Sequence, residues 1–492
     1  MPIDDVHADY EKRKAQWERI RDSIEGVDAV KARGQAYLPK LGGQNLEAYH
    51  AYQTRADFYD APHRTLMGLV GMVFRKAPTT SLPSSLEALA ENVDHRGQNL
   101  ETFAKYIVTE VFAMGRTGVL VDVAVEHTDL IGPYFVPFAA EQIKNWRVGI
   151  VNGKPTLEQL VLHEMVPTVP RDGIGTVEIE QYRLYQLIDG GAHFQIWRKQ
   201  ENTDKFVPMA DPMPMLVRRE RGVPMAEIPF VPIGPTTLEM TVEKSPMLGV
   251  CDVALSHYRS SADLEQGRHF TALPTPWISN AGGALGDDGA TPQFVMGGGH
   301  AWLLPRDSEA GMLEYTGQGL AALEKAMAEK EDKMAALGSR LLEDQKKGVE
   351  AAETVGRRQS GEHSVAASIA DTCGRGLLRC FELAAAWMRI DFPNDSHVRL
   401  NKDFYPAPMT PEMIQAQMSM LQGGAMPWTQ FVENMQRGEI FDAGKTPDQI
   451  LDDINTSRFT LPGATFDDDA DQDPPEDRDD DDQNDGTSAT SV

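Results

Sequence analysis

The feature that most constrains this chain is a pair of long helix-forming stretches set around a segment that cannot be helical. Ser245-Pro246-Met247-Leu248 opens the first stretch: serine suits an N-cap, and proline the first helical position. It runs to about Ala272 and must end before Pro274 and Pro276. Residues 277–316 are then glycine-rich and strand-like, with Trp277, Phe294 and Trp302-Leu303-Leu304 as apolar anchors. The second stretch covers about Gly319 to Lys346. There Leu320, Leu323, Met327, Met334, Leu337 and Leu341 keep helical spacing with charge between them. No run in the chain approaches the roughly 18 consecutive apolar residues that a bilayer span needs.

The stretches on either side show other periodicities. Residues 7–31 predict a charged helix with Trp17, Ile20, Ile24 and Val27 on one side, and Leu46 through Val73 predicts a second, stopped by Pro78. A third covers roughly 99–114, after which Gly115-Arg116-Thr117-Gly118 turns into the apolar strand Val119–Val123. Short strands follow: Pro133–Phe138, Trp146–Val151, Leu157–His163, Glu178–Ile188, Phe194–Arg198 and Ile228–Ile233. Asn152-Gly153 and Asp189-Gly190-Gly191 supply turn chemistry between them. Beyond the second long helix, Glu362 to Arg389 predicts a helix rich in alanine. Thr410-Pro411-Glu412 and Thr446-Pro447-Asp448 each open a shorter one, with Thr as cap and Pro in the first turn.

At 492 residues the chain is long enough for two or three core-bearing units. Its formal net charge is −27, and the stretch Asp467–Asp485 holds twelve acidic residues against one arginine. Even without that tail the chain is acidic, which excludes the strongly basic footprint of a sequence-reading DNA-binding domain. A channel through which DNA slides would equally avoid a sticky basic wall. The N-terminus Met1-Pro2-Ile3-Asp4-Asp5 lacks the layout of a secretory signal, so synthesis and folding in the cytoplasm are expected. Cys251, Cys373 and Cys380 have no metal-ligand spacing, and Cys373 and Cys380 lie too far apart along one helix for a disulfide. They read as small buried residues.

Motifs that carry chemistry are nearly absent. Gly317-Gln318-Gly319 with Ala322 fits a dinucleotide turn, but no alternating β-α series surrounds it, so the glycines read as a tight helix start. His163-Glu164 is not followed by the second histidine of a zinc motif, and Asp287-Asp288-Gly289 lacks the other oxygens of a calcium loop. No G-x-S-x-G elbow and no phosphate-binding P-loop occurs. His257 and His269 share a helix about three turns apart and read as ordinary surface or core residues. No catalytic residue, cofactor or metal is expected, and the chain reads as a non-enzyme. Of the 22 methionines six fall between Met409 and Met435, either as gap-filling helix core or as an adaptable oligomer surface.

The order of parts resembles that of tailed-phage portal proteins. Phe103–Met114, ending at Gly115 before a valine-rich strand, looks like the portal wing, and Ser245-Pro246-Met247-Leu248 is similar to the signature opening the first stem helix. Tyr49-His50-Ala51-Tyr52, Gly68 through Pro78 and Gly361-Glu362-His363-Ser364 look like a portal subfamily known mainly as a domain of unknown function. The resemblance implies an α+β portal fold. It would have N-terminal helices and a β-rich wing over 1–245, a first stem helix over 246–272, a clip over 273–318 and a second stem helix over 319–346. A tunnel loop over 347–361, a long wing helix and strand over 362–407, a helical crown over 408–461 and a disordered acidic tail over 462–492 would complete it.

The resemblance further implies a closed homo-oligomeric ring, typically of twelve subunits, at one capsid vertex of the virion, assembled in the host cytoplasm. Its partners would be the terminase large subunit, the major capsid protein or a scaffold, a head-tail adaptor, and double-stranded DNA passing through; no membrane is involved. Lys346, Lys347, Arg357 and Arg358 fall where the tunnel loop should be and are candidate transient contacts to DNA phosphates. Alternatively, the two lysines simply complement a helix C-terminus. The acidic tail is either a solubilising extension or a device that repels DNA or engages a basic scaffold. Two other identities stay open: a non-portal phage scaffold, tail or adaptor protein, and a nucleotide-dependent enzyme built on Gly317-Gln318-Gly319.

Overall fold

The structure is a computed structural model. It describes residues 2–341 apart from 124–131, 152, 169–172, 174, 201–202, 216–223, 273–274, 280–303, 305 and 314–318, and residues 364–458 apart from 405–408 and 443–444. Helices and sheets are mixed in the α+β manner, and the chain divides into two compact units, residues 1–405 and 406–492.

Where one helix is expected over 7–31 there are two, α1 (Ala8–Glu25) and α2 (Val27–Ala32). Gly26 separates them at φ +108°, a value unfavourable for any side-chain-bearing residue. His7 caps α1, its Nδ1 accepting from the Asp9 amide at 3.2 Å. The stretch 46–73 is likewise divided, into α3 (Leu46–Arg55) and α4 (Ala61–Val73). Ala56 is extended, and Pro62 occupies the first turn of α4, where its missing N–H leaves no bond unmade. Strand β1 (Thr79–Ser81) and helix α5 (Ser84–Glu91) follow; their shortness hides them from periodicity.

Helix α6 (Leu100–Met114) is the spine of the larger unit. Asn99 accepts from the Thr102 amide at 3.0 Å, and Phe103, Ile107, Val108, Val111 and Phe112 are all fully buried. Two antiparallel sheets follow it in the chain. The smaller orders β10 (Phe230–Ile233), β2 (Thr117–Val123) and β3 (Pro133–Ala139). The larger runs β4 (Ile143–Val151), β5 (Lys154–Thr168), β6 (Val177–Ile188), β7 (Gly191–Lys199) and β8 (Phe206–Pro208), with β9 (Met213–Pro214) also on β7. Asp189 and Gly190 both have positive φ, and Ile188 pairs directly with Gly191. This is the two-residue hairpin turn an Asp-Gly step favours.

A buried polar network ties the two sheets together. Arg183 of β6 donates to Asp122 of β2 at 2.6 Å and to Glu164 of β5 at 2.9 Å, and Gln181 also reaches Glu164. Opposite charges this close hold the Arg183 guanidinium far above its ordinary pKa despite burial.

The smaller unit contains α10 (Pro411–Gln422), α11 (Trp428–Arg437) and α12 (Pro447–Arg458). Thr410 and Thr446 cap two of them as expected, accepting from the Met413 and Gln449 amides. Its methionines divide between both readings: Met435 is buried, whereas Met413, Met418 and Met420 are about half exposed.

Candidate functional site

The long stretches form an antiparallel helical pair, α7 (Leu248–Ala272) and α8 (Leu320–Ser339), joined through a two-stranded sheet of β11 (Thr275–Ser279) and β12 (Glu309–Leu313). At its base the pair is fastened to the spine. Ser245 donates its hydroxyl to the Ala113 carbonyl near the end of α6 and accepts from the Met247 amide at 3.1 Å. The serine therefore makes a tight turn, and α7 begins at Leu248 rather than Pro246. Gly115 takes the left-handed conformation that ends α6, and a Cβ there would lie 3.0 Å from Ser245 Cα. Trp17 of α1 donates to the Met114 carbonyl at 2.9 Å, so three elements converge on one turn.

The first two-thirds of α7 is held by α1, α3 and α4. Cys251, Leu255, Tyr258, Ala262 and Leu264 are buried. Tyr52 donates to Asp263 at 2.6 Å, the Asp57 amide donates to Ser261 at 2.8 Å, and Arg55 donates to Gln266 at 3.0 Å. Beyond Leu264 no residue of α7 is buried, and Phe270 is exposed. Burial thus fades toward the β11–β12 end.

Helix α8 follows α7 in register from end to end. Leu320 lies over Gly267, Arg268 donates to Glu324 at 2.9 Å, Lys330 donates to Ser260 at 2.6 Å, His257 meets Glu331 at 3.2 Å, and Leu337 lies over Gly249. At Gly267 a Cβ would lie 2.5 Å from Leu320 Cδ2, so that glycine lets the leucine approach closely, whereas Leu337 keeps ordinary contact distance over Gly249. The outward side of α8 carries Ala321, Lys325, Ala328, Glu329, Asp332 and Lys333, short or oppositely charged residues with no dominant sign. At the far end, Trp277 stacks over Gly311, and Trp277, Met312 and Leu313 are exposed. Sequence reasoning marks Trp277 as an anchor, yet it stands open to solvent; an anchor and an interaction surface have the same local composition.

Helix α9 (Val365–Met388) returns the chain to the core. Ser364 caps it, accepting from the Ala367 amide at 3.1 Å, and the Ala366 amide donates to Leu341 at the end of the helical pair. Its small residues permit close packing: a Cβ on Gly374 would lie 2.7 Å from the Val398 carbonyl. That carbonyl belongs to β13 (His397–Arg399), which pairs with β1. Cys373 and Cys380 are wholly buried on α9 and Cys251 on α7; burial pushes the Cys251 thiol up to about 12 and the other two higher still.

Lys346, Lys347, Arg357 and Arg358 lie outside the described residues, as do Gly317 and Gln318, most of 273–318, and the acidic tail. Gly319 directly precedes α8. His163 contacts Glu180 at 3.1 Å, and Glu164 is taken up by Gln181 and Arg183. Among the described residues no group of histidine, cysteine and acidic side chains could hold a metal ion, and no helix is long and apolar enough to cross a membrane.

One buried group has no counterpart in the sequence reading. Arg116 is 1% exposed, none of its guanidinium nitrogens has a hydrogen-bond acceptor among the described residues, and its charge lies 4.1 Å from the centroid of the Trp146 ring. Desolvation pulls its pKa down to about 9. An arginine in a turn is ordinarily exposed, so nothing local signals this burial.

Residues 246–388 match a family model described as a domain of unknown function, DUF4055. The matched span opens at Pro246 and closes at the last residue of α9. No curated protein matches the chain. Among solved structures the chain is similar to one described as "Neck of empty GTA particle computed with C6 symmetry", at 11% identity and TM-score 0.37, covering 78% of this chain and 90% of that one. A second is "Neck of native GTA particle computed with C12 symmetry", at 10% identity and TM-score 0.36, covering 81% and 95%. A likeness of that order carries no argument about fold or function.

Proposed function

We propose that this chain is a phage head-tail structural protein, specifically the portal subunit. It would form a ring at one capsid vertex through which DNA is packaged and ejected, without enzymatic activity of its own. The observation that carries the reading is the antiparallel pair α7–α8. It is bolted to the core at Ser245 and Leu341, loses burial along its length and ends in the β11–β12 sheet. In this reading α7 and α8 are the stem, the segment 273–318 is the clip, α9 is the long wing helix, and the helices of 408–461 are the crown.

The outward side of α8 suits the wall of such a channel. Alanines alternating with charges of both signs give DNA no continuous phosphate-binding surface, so a duplex can slide. Terminase and then a head-tail adaptor would dock at the clip. The capsid protein or scaffold would surround the ring, which belongs to the virion after assembly in the host cytoplasm. Lys346, Lys347, Arg357 and Arg358 would touch phosphates in passing, as a tunnel loop over 347–361. Replacing both arginines with alanine should shorten or destabilise the packaged genome, and unchanged packaging and retention would remove that role.

Negative-stain imaging of the purified full chain tests the central reading. Rings with an axial hole, about twelve-fold, are expected. Monomers, filaments or solid discs would point instead to a scaffold or adaptor protein.

A further inference from the structure

The residues just before α1 form a strap that touches β4, β5 and β6 of the larger sheet. Ile3 packs against the separate apolar cluster of Val161, Tyr182 and Leu184, and Val6 packs against the main core. The Asp5 carbonyl accepts from the Asn145 side chain at 3.0 Å, and the His7 amide donates to the Lys144 carbonyl at 2.9 Å. The strap ends in a stack of side chains. His7 lies on the Trp146 indole with ring centroids 3.9 Å apart and planes 18° apart, and the Arg116 guanidinium carbon is 4.1 Å from the centroid of that indole. Two groups so close to one centroid cannot share a face, so Trp146 is held between the imidazole and the guanidinium.

This arrangement requires an uncharged His7. Its Nδ1 accepts from the Asp9 amide as the cap of α1, and a protonated ring nitrogen is a donor that cannot accept. A charge there would sit at the positive end of the helix dipole, with the Arg116 cation on the other side of the indole. Lys12 on α1 and Arg116 on the turn between α6 and β2 oppose protonation, whereas the Asp9 carboxylate, 3.8 Å away, favours it. That carboxylate is already engaged by Lys12 at 2.8 Å. Lys144 of β4 donates to the Tyr10 hydroxyl at 2.7 Å, and the acids of the strap itself are Asp4, near Tyr182, and Asp5. Burial, against the pull of Asp9 and with Arg116 and Lys12 adding to it, holds the imidazole below its ordinary pKa.

We propose that residues 2–7 are an acid-released latch: protonation of His7 breaks the cap and the stack together, and the strap lifts from the sheet. Release uncovers Val161, Tyr182 and Leu184 and one face of Trp146, so an apolar patch is covered at neutral pH and presented in acid. The lifted strap carries an ordinary histidine and the docked strap a depressed one. Docking is therefore at full strength above about pH 6.5 and weakens as pH falls through the docked value. Asp9, held low by its bond from Lys12, stays ionised through this window. One proton is taken up, so the lifted fraction rises at most about tenfold per pH unit. The latch is independent of whether the chain forms a ring.

Hydrogen exchange of the full chain, read by mass spectrometry and divided by the intrinsic rate at each pH, tests this. From about pH 7.5 to about pH 5, protection of the peptide spanning 2–10 should fall by about threefold or more, while that of α6 stays constant. His7→Asn keeps a cap acceptor but does not titrate here, so its protection should be the same at both pH values. Ile3→Ser should lower protection of 2–10 at both, as expected if that peptide reports the docked strap. Equal wild-type protection at both pH values, an undiminished acid response in His7→Asn, unchanged protection in Ile3→Ser, or an acid loss shared equally by α6 would each overturn the latch.

Discussion

Gly115→Ala is the sharpest test of how the helical pair is joined to the core. Gly115 sits at φ +73° and ψ 14°, where a Cβ costs about 1–2 kcal/mol in backbone energy alone. The new methyl would also lie 3.0 Å from Ser245 Cα, 3.1 Å from its amide nitrogen and 3.2 Å from the Lys244 carbonyl carbon. All three are main-chain atoms that cannot rotate away, so the α6–α7 junction must open, at about 1–3 kcal/mol for overpacking. The expected loss is therefore about 2–5 kcal/mol. Gly43→Ala is the matched control, because Gly43 has φ +78° and nothing within 4 Å of its would-be Cβ; it should lose only the backbone share, about 1–2 kcal/mol. Urea midpoints of the two full-length variants at one protein concentration give the comparison. If Gly115→Ala unfolds no earlier than Gly43→Ala, the close approach of α6 to Ser245 is not a determinant of the fold.

Three further outcomes are expected. Arg183→Met should destabilise the chain by about 3–5 kcal/mol, because it strands Asp122 and Glu164 in the interface between the sheets; a loss under about 1 kcal/mol would refute their burial as a charged network. The three cysteines should resist thiol reagents in the native protein at pH 8 and all react in denaturant, and rapid native labelling of any one would contradict its packing. Arg116→Met should raise stability by about 1–3 kcal/mol near neutral pH, since it replaces a buried charge without an acceptor among the described residues by an apolar side chain of similar length. With the folded pKa of Arg116 near 9 and below its unfolded value, the unfolded chain binds more protons above that pH. Wild type should therefore gain on the variant as pH rises from 9, and a constant gap up to pH 11 would refute the depressed pKa.

Elements announced by a cap or by a tight turn were legible in the amino acids: the helices begun by Thr410-Pro411 and Thr446-Pro447, the end of α6 at Gly115, and the Asp189-Gly190 hairpin. Each depends on atoms a few residues apart, so local sequence contains the whole cause. The breaks at Gly26 and at Ala56–Asp60 were not legible, because the apolar spacing carries through them. Which side of each break packs on the core is decided elsewhere, by contacts such as that of Tyr52 with Asp263. The stretch Trp146–Val151 of β4 was legible as a strand but not as an edge, since strand order is a property of pairing rather than of the strand itself.

By itself the sequence determined that two long amphipathic helices flank a glycine-rich insert, that strands cluster before them and shorter helices after, and that the chain is acidic. Near-neighbour energies and composition settle those properties. Only the tertiary structure decided that the two helices run antiparallel in register and that Ser245 fastens them to α6. It alone also decided that β1 finds β13 and that Arg116 is sealed against Trp146. Those outcomes join residues tens to hundreds of positions apart. Their energies come from packing and desolvation, which no local pattern encodes.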